Sequence, residues 1–115
     1  MAAIQYDYLP HYTYEDYRLW KGDWELIGGV AYAMAPSPVK IHQKLMGEIF
    51  ALLNDSIQCI DVEVLISTDW KVCEDTVLRP DVSVVCGDKN ENFIAKTPEI
   101  VFEIVSPSTA RKDRG

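Results

Sequence analysis

The chain predicts an α/β fold, a mixed and largely antiparallel sheet flanked by helices. Three observations carry that prediction. Trp24 to Met34 reads as a hairpin around Gly28-Gly29; a stripe of helical period runs from His42 to Leu53; and apolar runs of period two recur after residue 60. With 115 residues, 48% apolar and 25% charged, the composition is that of one soluble globular domain with a modest core.

Residues 1–12 are rich in tyrosine and show no period, so an irregular arm is expected, with the folded domain spanning 13–115. Thr13 followed by Glu15 and Asp16 places acids in a first helical turn, and that helix is expected to reach about Trp20 and end near Gly22. In the hairpin, Glu25 alternates to the face opposite Trp24 and Leu26; a solvent-facing role is one reading. Ser37-Pro38 is a helix start, a capping serine with proline in the first position. His42, Leu45, Met46, Ile49, Leu52 and Leu53 then share one face, and the helix is expected to end near Asn54-Asp55. Val62, Val64 and Ile66 alternate as a strand, Trp70, Val72 and the segment near Val77 suggest further pairing, and Asp69, Glu74 and Asp75 read as turn acids.

The chemistry concentrates late in the chain. Ile100 to Val105, with Pro98 and Pro107 outside it, reads as a strand apolar on both faces, hence a central one, yet Glu103 sits within it. A buried carboxylate needs a cation or donors. An ion pair with Arg79, Arg111 or another base is one answer; a metal ligand or catalytic acid is the other. Pro80 cannot donate to a ladder and suits a strand's first position, which puts Asp81 at the mouth of the run Val82 to Cys86. Gly87 to Asn92 is turn chemistry. If the two strands pair antiparallel, Asp81 and Glu103 become neighbours, and like charges across a ladder repel. A divalent cation reverses that repulsion, and hard carboxylate oxygens suit Mg²⁺ or Mn²⁺ better than zinc.

Arg79-Pro80-Asp81, Val101 to Thr109 and Arg111-Lys112-Asp113-Arg114-Gly115 together resemble the bacterial putative restriction endonuclease family of the PD-(D/E)xK nuclease superfamily. Trp24 to Gly29, Ala33 to Pro38 and His42-Gln43 resemble earlier segments of that family in the same order. The resemblance implies a restriction-endonuclease-like fold and Mg²⁺- or Mn²⁺-dependent hydrolysis of phosphodiester bonds in DNA. It implies Asp81 and Glu103 as metal ligands, with the backbone carbonyl of Ile104, and brings Glu25 and His42 close to the catalytic face. His42 is otherwise read as a packed, hydrogen-bonded residue. The family's lysine has migrated to the helix after the glutamate, which fits Val105 here, and is expected beyond Gly115. The chain is therefore expected to be C-terminally truncated, lacking a last helix and strand, with impaired activity. An open sheet edge would favour a homodimer.

Two other classes stay open: a non-catalytic remnant of the nuclease fold serving binding or assembly, and a metal-dependent hydrolase of smaller substrates. The net charge of −7 opposes tight binding to nucleic acid by this chain, since phosphate contacts need cations; Lys40, Lys44, Arg111, Lys112 and Arg114 are its basic concentrations. Cys59, Cys73 and Cys86 lack metal or disulfide spacing and are expected to be small buried apolar residues in a reducing cytoplasm. No leader or membrane-spanning run is read in the sequence.

Overall fold

A computed structural model describes residues 10–34 and 39–105. The order is α1 (Tyr14–Tyr17), β1 (Trp24–Ile27), β2 (Val30–Ala33), α2 (Lys40–Ser56), β3 (Val62–Ile66), β4 (Trp70–Cys73), β5 (Thr76–Leu78), β6 (Val82–Cys86) and β7 (Ile100–Phe102). The strands form two sheets, β2-β1-β5-β4 and β3-β6-β7, and every strand pairing within them is antiparallel. A single parallel bridge, Trp70 to Ile94, ties the loop after β6 to β4. Ala33 to Pro38 lies partly, and Ser37-Pro38 wholly, outside the described residues; Val39 stands immediately before α2.

The hairpin forms because Gly28 and Gly29 adopt φ of 57° and 82°, the positive values a two-residue primed turn requires. Gly29 has a second constraint. A Cβ there would overlap the ring of His11, whose neighbour Tyr12 donates its N–H to the Gly29 carbonyl at 2.9 Å. Residues 10–12 are thus docked on the hairpin rather than loose from it. The β1–β2 turn also meets β5, because Thr76 Oγ1 accepts from the Gly28 N–H at 3.1 Å.

Helix α1 is shorter than the sequence predicts. The N–H of Leu19 and that of Trp20 bond three residues back, to Asp16 and Tyr17, so the last turn tightens before Gly22. Tyr17 is the buried residue of that turn. Its ring is buried with Leu26 and Val77, and Tyr12, Tyr14, Trp20 and Trp24 pack around that cluster, several of them edge to face.

Helix α2 packs on β3 and β6. Its covered stripe is narrower than the periodicity implies: Met46 is buried and His42, Ile49 and Leu53 are half-buried, while Leu45 and Leu52 are exposed. In β6, Val82, Ser83, Val84 and Val85 are all buried, so both faces of that strand are covered. The central strand of this sheet is therefore β6, and not β7, the segment that the sequence marks as central. Among the described residues β7 is the edge of its sheet, with Ile100 and Val101 exposed, and it ends at Phe102, one residue before Glu103. A continuous apolar run has the same appearance in a covered strand and in an edge strand, which is why the pattern misplaced it. The cysteines depart as well. All three are free, and Cys59 and Cys73 are exposed because they lie beside turns rather than in the core.

Leu26 is fully buried at the centre of the aromatic cluster. Leu26→Ala is expected to lower unfolding free energy by about 3 kcal/mol through lost burial and the cavity left behind. Urea denaturation followed by tryptophan fluorescence checks it.

Candidate functional site

The ladder between β6 and β7 pairs Val82 with Phe102, Ser83 with Val101 and Val84 with Ile100. Continuing that register by one pair sets Asp81 opposite Glu103. The two acids singled out from the sequence are brought together by antiparallel pairing, as the sequence predicts. Asp81 lies in the bend before β6, where Pro80 has ended the preceding strand, and its main-chain carbonyl accepts from the Ser67 N–H at 2.9 Å. Its carboxylate is held from two sides. Oδ2 accepts from the Ile104 N–H at 2.7 Å and lies 3.3 Å from Nε2 of His42, which α2 contributes from its first turn. Ile104 thus contributes its N–H to Asp81, a contact the expectation of a carbonyl ligand did not contain.

Glu25 joins them from β1. Its Oε2 accepts from the backbone N–H of Arg79 at 2.7 Å, and the residue is half-buried, so the solvent-facing reading fails. Three carboxylates from three strands or strand ends now share one neighbourhood. Two of them have an amide donor: Glu25 that of Arg79, Asp81 that of Ile104. Glu103 has none among the described residues. Its carboxyl is pushed up to about 7 by partial burial first, then by the charges of Asp81 and Glu25, against a smaller opposing pull from His42. By accessible area Glu103 is an exposed residue. Water therefore screens part of the desolvation, and the like-charge crowding is the cause with the firmer geometry behind it.

Arg79 does not meet Glu103. Its guanidinium donates to Asp69 through Nε at 2.8 Å and to Asp23 through Nη1 at 2.6 Å, with Nη2 3.3 Å from the Tyr17 hydroxyl. Burial weakens the guanidinium's charge, but the hydrogen bond and charge of Asp69 outweigh it and raise its basicity above normal. The Tyr17 hydroxyl, pushed up to about 12 by burial and by Asp69, lies 2.9 Å from Asp69 Oδ1 and from the Trp24 carbonyl, either of which can take its single proton. Asp69 is thus an ion-pair partner, not a turn acid; Glu74 and Asp75 do occupy the β4–β5 turn. Sequence reasoning missed the Tyr17–Asp69–Arg79 group because its members lie 10 to 62 residues apart and share no spacing. Nor did it single out Ser83, two residues beyond Asp81 on the same strand face, whose hydroxyl is buried without a partner, as is Nδ1 of His42.

Among the described residues no group of three or more His, Cys, Asp or Glu side chains is arranged to hold a metal ion. A cation at this place would rest on two carboxylates, backbone and water. Magnesium accepts that arrangement, since it keeps several waters. The donor set fits it: hard oxygens, mutually repelling, one of whose carboxyls is pushed up to about 7 by partial burial first and then by its neighbours' charge.

Two antiparallel sheets with α2 packed on β3 and β6 make a mixed α/β protein compatible with a restriction-endonuclease-like fold. The family described as "Uma2: Putative restriction endonuclease" matches residues 14–115, and the chain belongs to that family. No curated protein matches the chain. Among the described residues no helix is long and apolar enough to cross a membrane.

A folded-state pKa near 7 against 4.5 when unfolded means that the native protein binds the extra proton between those values. The contribution of Glu103 to stability is then full below pH 4.5 and is lost as pH rises through about 7. Glu103→Gln is expected to flatten that decline and to stabilise the protein at pH 8. Denaturation midpoints at pH 5 and pH 8 for both forms check the sign.

Proposed function

We propose that the chain carries the active site of a metal-dependent endonuclease that hydrolyses phosphodiester bonds of DNA. The observation that supports this best is the register that sets Asp81 opposite Glu103. In this reading Asp81 and Glu103 hold one Mg²⁺ or Mn²⁺. When bound, such an ion supplies charge for the phosphate and acidifies a coordinated water. The chain's own residues do the rest. The Ile104 N–H keeps Asp81 turned toward its partner, and His42 braces the same oxygen. Glu103, with no donor of its own among the described residues, holds its proton up to about pH 7 and would exchange that proton for a cation. Glu25, tethered to the Arg79 amide, completes the negative wall. A bound cation would offset the crowding of negative charge, so binding should strengthen as pH rises through about 7.

A non-catalytic remnant of the same fold is the second reading. It is favoured by the absence, among the described residues, of any lysine paired with Asp81, Glu103 or Glu25, together with the net charge of −7. A lysine orienting the attacking water is part of the chemistry this family resemblance implies.

Titration calorimetry with Mg²⁺ and Mn²⁺ at pH 8 should show binding by the wild type and loss by Glu103→Ala and Asp81→Asn. The loss should exceed the roughly 10–100-fold that removal of an outer contact costs. Equal binding by all three would remove the metal role. With Mn²⁺ present, nicking of supercoiled plasmid that vanishes in Asp81→Asn supports the endonuclease; metal binding without nicking supports the remnant.

A further inference from the structure

Arg79 sits at the join between the two sheets, one proline away from Asp81. Its guanidinium is mostly buried and faces Asp69, which leads into β4, and Asp23, which leads into β1. The Asp69 contact is the strong one. Side chains of 20% and 25% exposure are shielded on both sides, whereas Asp23 is 73% exposed and adds little. Tyr17 closes the group from α1, its hydroxyl between Asp69 and Arg79. The same residue's backbone N–H points the other way, onto Glu25. One residue thus has its side chain clamped by α1, β1 and β4 leads while its main chain carries a site carboxylate, and the chain reaches Asp81 two residues later through the rigid, buried Pro80.

We propose that Arg79 is a positioning residue, whose clamped guanidinium fixes the β5–β6 connection so that its own amide holds Glu25 and its second neighbour, Asp81, is delivered opposite Glu103. This rests on the reading of those acids as the metal-holding set, and it assigns the distant residues Asp69 and Tyr17 to the same task. A guanidinium anchored only for stability could be replaced with loss of melting temperature alone. One anchored for position cannot be, because a shift of the connection by an ångström separates the acids.

Two quantities read the acids directly: the titration midpoint of the Glu103 carboxyl by carbon-detected NMR, and Mn²⁺ affinity at pH 8. The variants are Arg79→Met, Arg79→Lys and Asp69→Asn, with Arg18→Met as the control; Arg18 pairs with Glu15 on the surface, away from the site. Arg79→Met should move the Glu103 midpoint down toward the ordinary carboxyl value, since Glu25 and Asp81 no longer crowd it, and weaken Mn²⁺ at least tenfold. Asp69→Asn should shift both the same way by less, and Arg79→Lys should restore part of each; Arg18→Met should move neither. If Arg79→Met does not fold, Asp69→Asn and Arg79→Lys decide the matter. Unchanged midpoint and affinity, with only melting temperature lowered, would overturn the proposal. Wild-type protein that binds no Mn²⁺ would overturn the metal reading instead, and the Glu103 midpoints would still report whether Arg79 places the acids.

Discussion

Main-chain pairing brings Glu25, Asp81 and Glu103 into one neighbourhood and, among the described residues, supplies two amides for three carboxylates. Everything unusual about the site follows from that shortfall. Glu25 takes the amide of Arg79 and Asp81 takes that of Ile104. Glu103 has no such donor among the described residues, and partial burial, then its neighbours' charge, push its carboxyl up to about 7. A fold built for stability alone would have little reason to keep three acids there, because removing any one of them relieves the others.

The repulsion is borne by a scaffold with distinct parts. Strand β6 is covered on both faces and cannot shift without opening the core. The aromatic cluster of Tyr17, Trp20 and Trp24 locks α1 to the hairpin, and Leu26 and Val77 lock the hairpin to β5. Between these two bodies runs the short connection Arg79-Pro80-Asp81. Its conformation is set by proline stiffness and by the Asp69–Arg79 pair, which is shielded enough to matter where surface pairs such as Arg18–Glu15 are not. By contrast β7 is exposed and short. The half of the acid pair that it carries is therefore the half with the least support, which agrees with Glu103 being the group without a donor.

Several expectations failed for instructive reasons. The apolar run before Glu103 was read as a covered central strand, but hydrophobicity on both faces does not say which side a neighbour occupies. Acids in the first turn and a distant glycine predict a helix α1 reaching Trp20, three residues too far, because they mark the ends of a segment without revealing that its last turn tightens to three-residue bonds. Leu45 and Leu52 satisfied the helical period and are nonetheless exposed, since the width of a covered stripe depends on what packs against it. Asp69 looked like one more acid near a turn, and its partner lies ten residues away across a strand hairpin.

The sequence by itself determined the glycine turn, the stiff proline before Asp81, the long helix carrying His42 and the antiparallel return that sets Asp81 against Glu103. Those are local matters of steric freedom, period and turn chemistry, and they survive without knowledge of the rest of the chain. Only the tertiary structure decided that β6 is the covered strand, that Arg79 belongs to Asp69 and Tyr17 rather than to Glu103, and that Glu25 turns inward. Each of these depends on which partner wins a buried hydrogen bond among several candidates far apart in the chain, and that competition is settled by packing geometry, which no spacing of residues encodes.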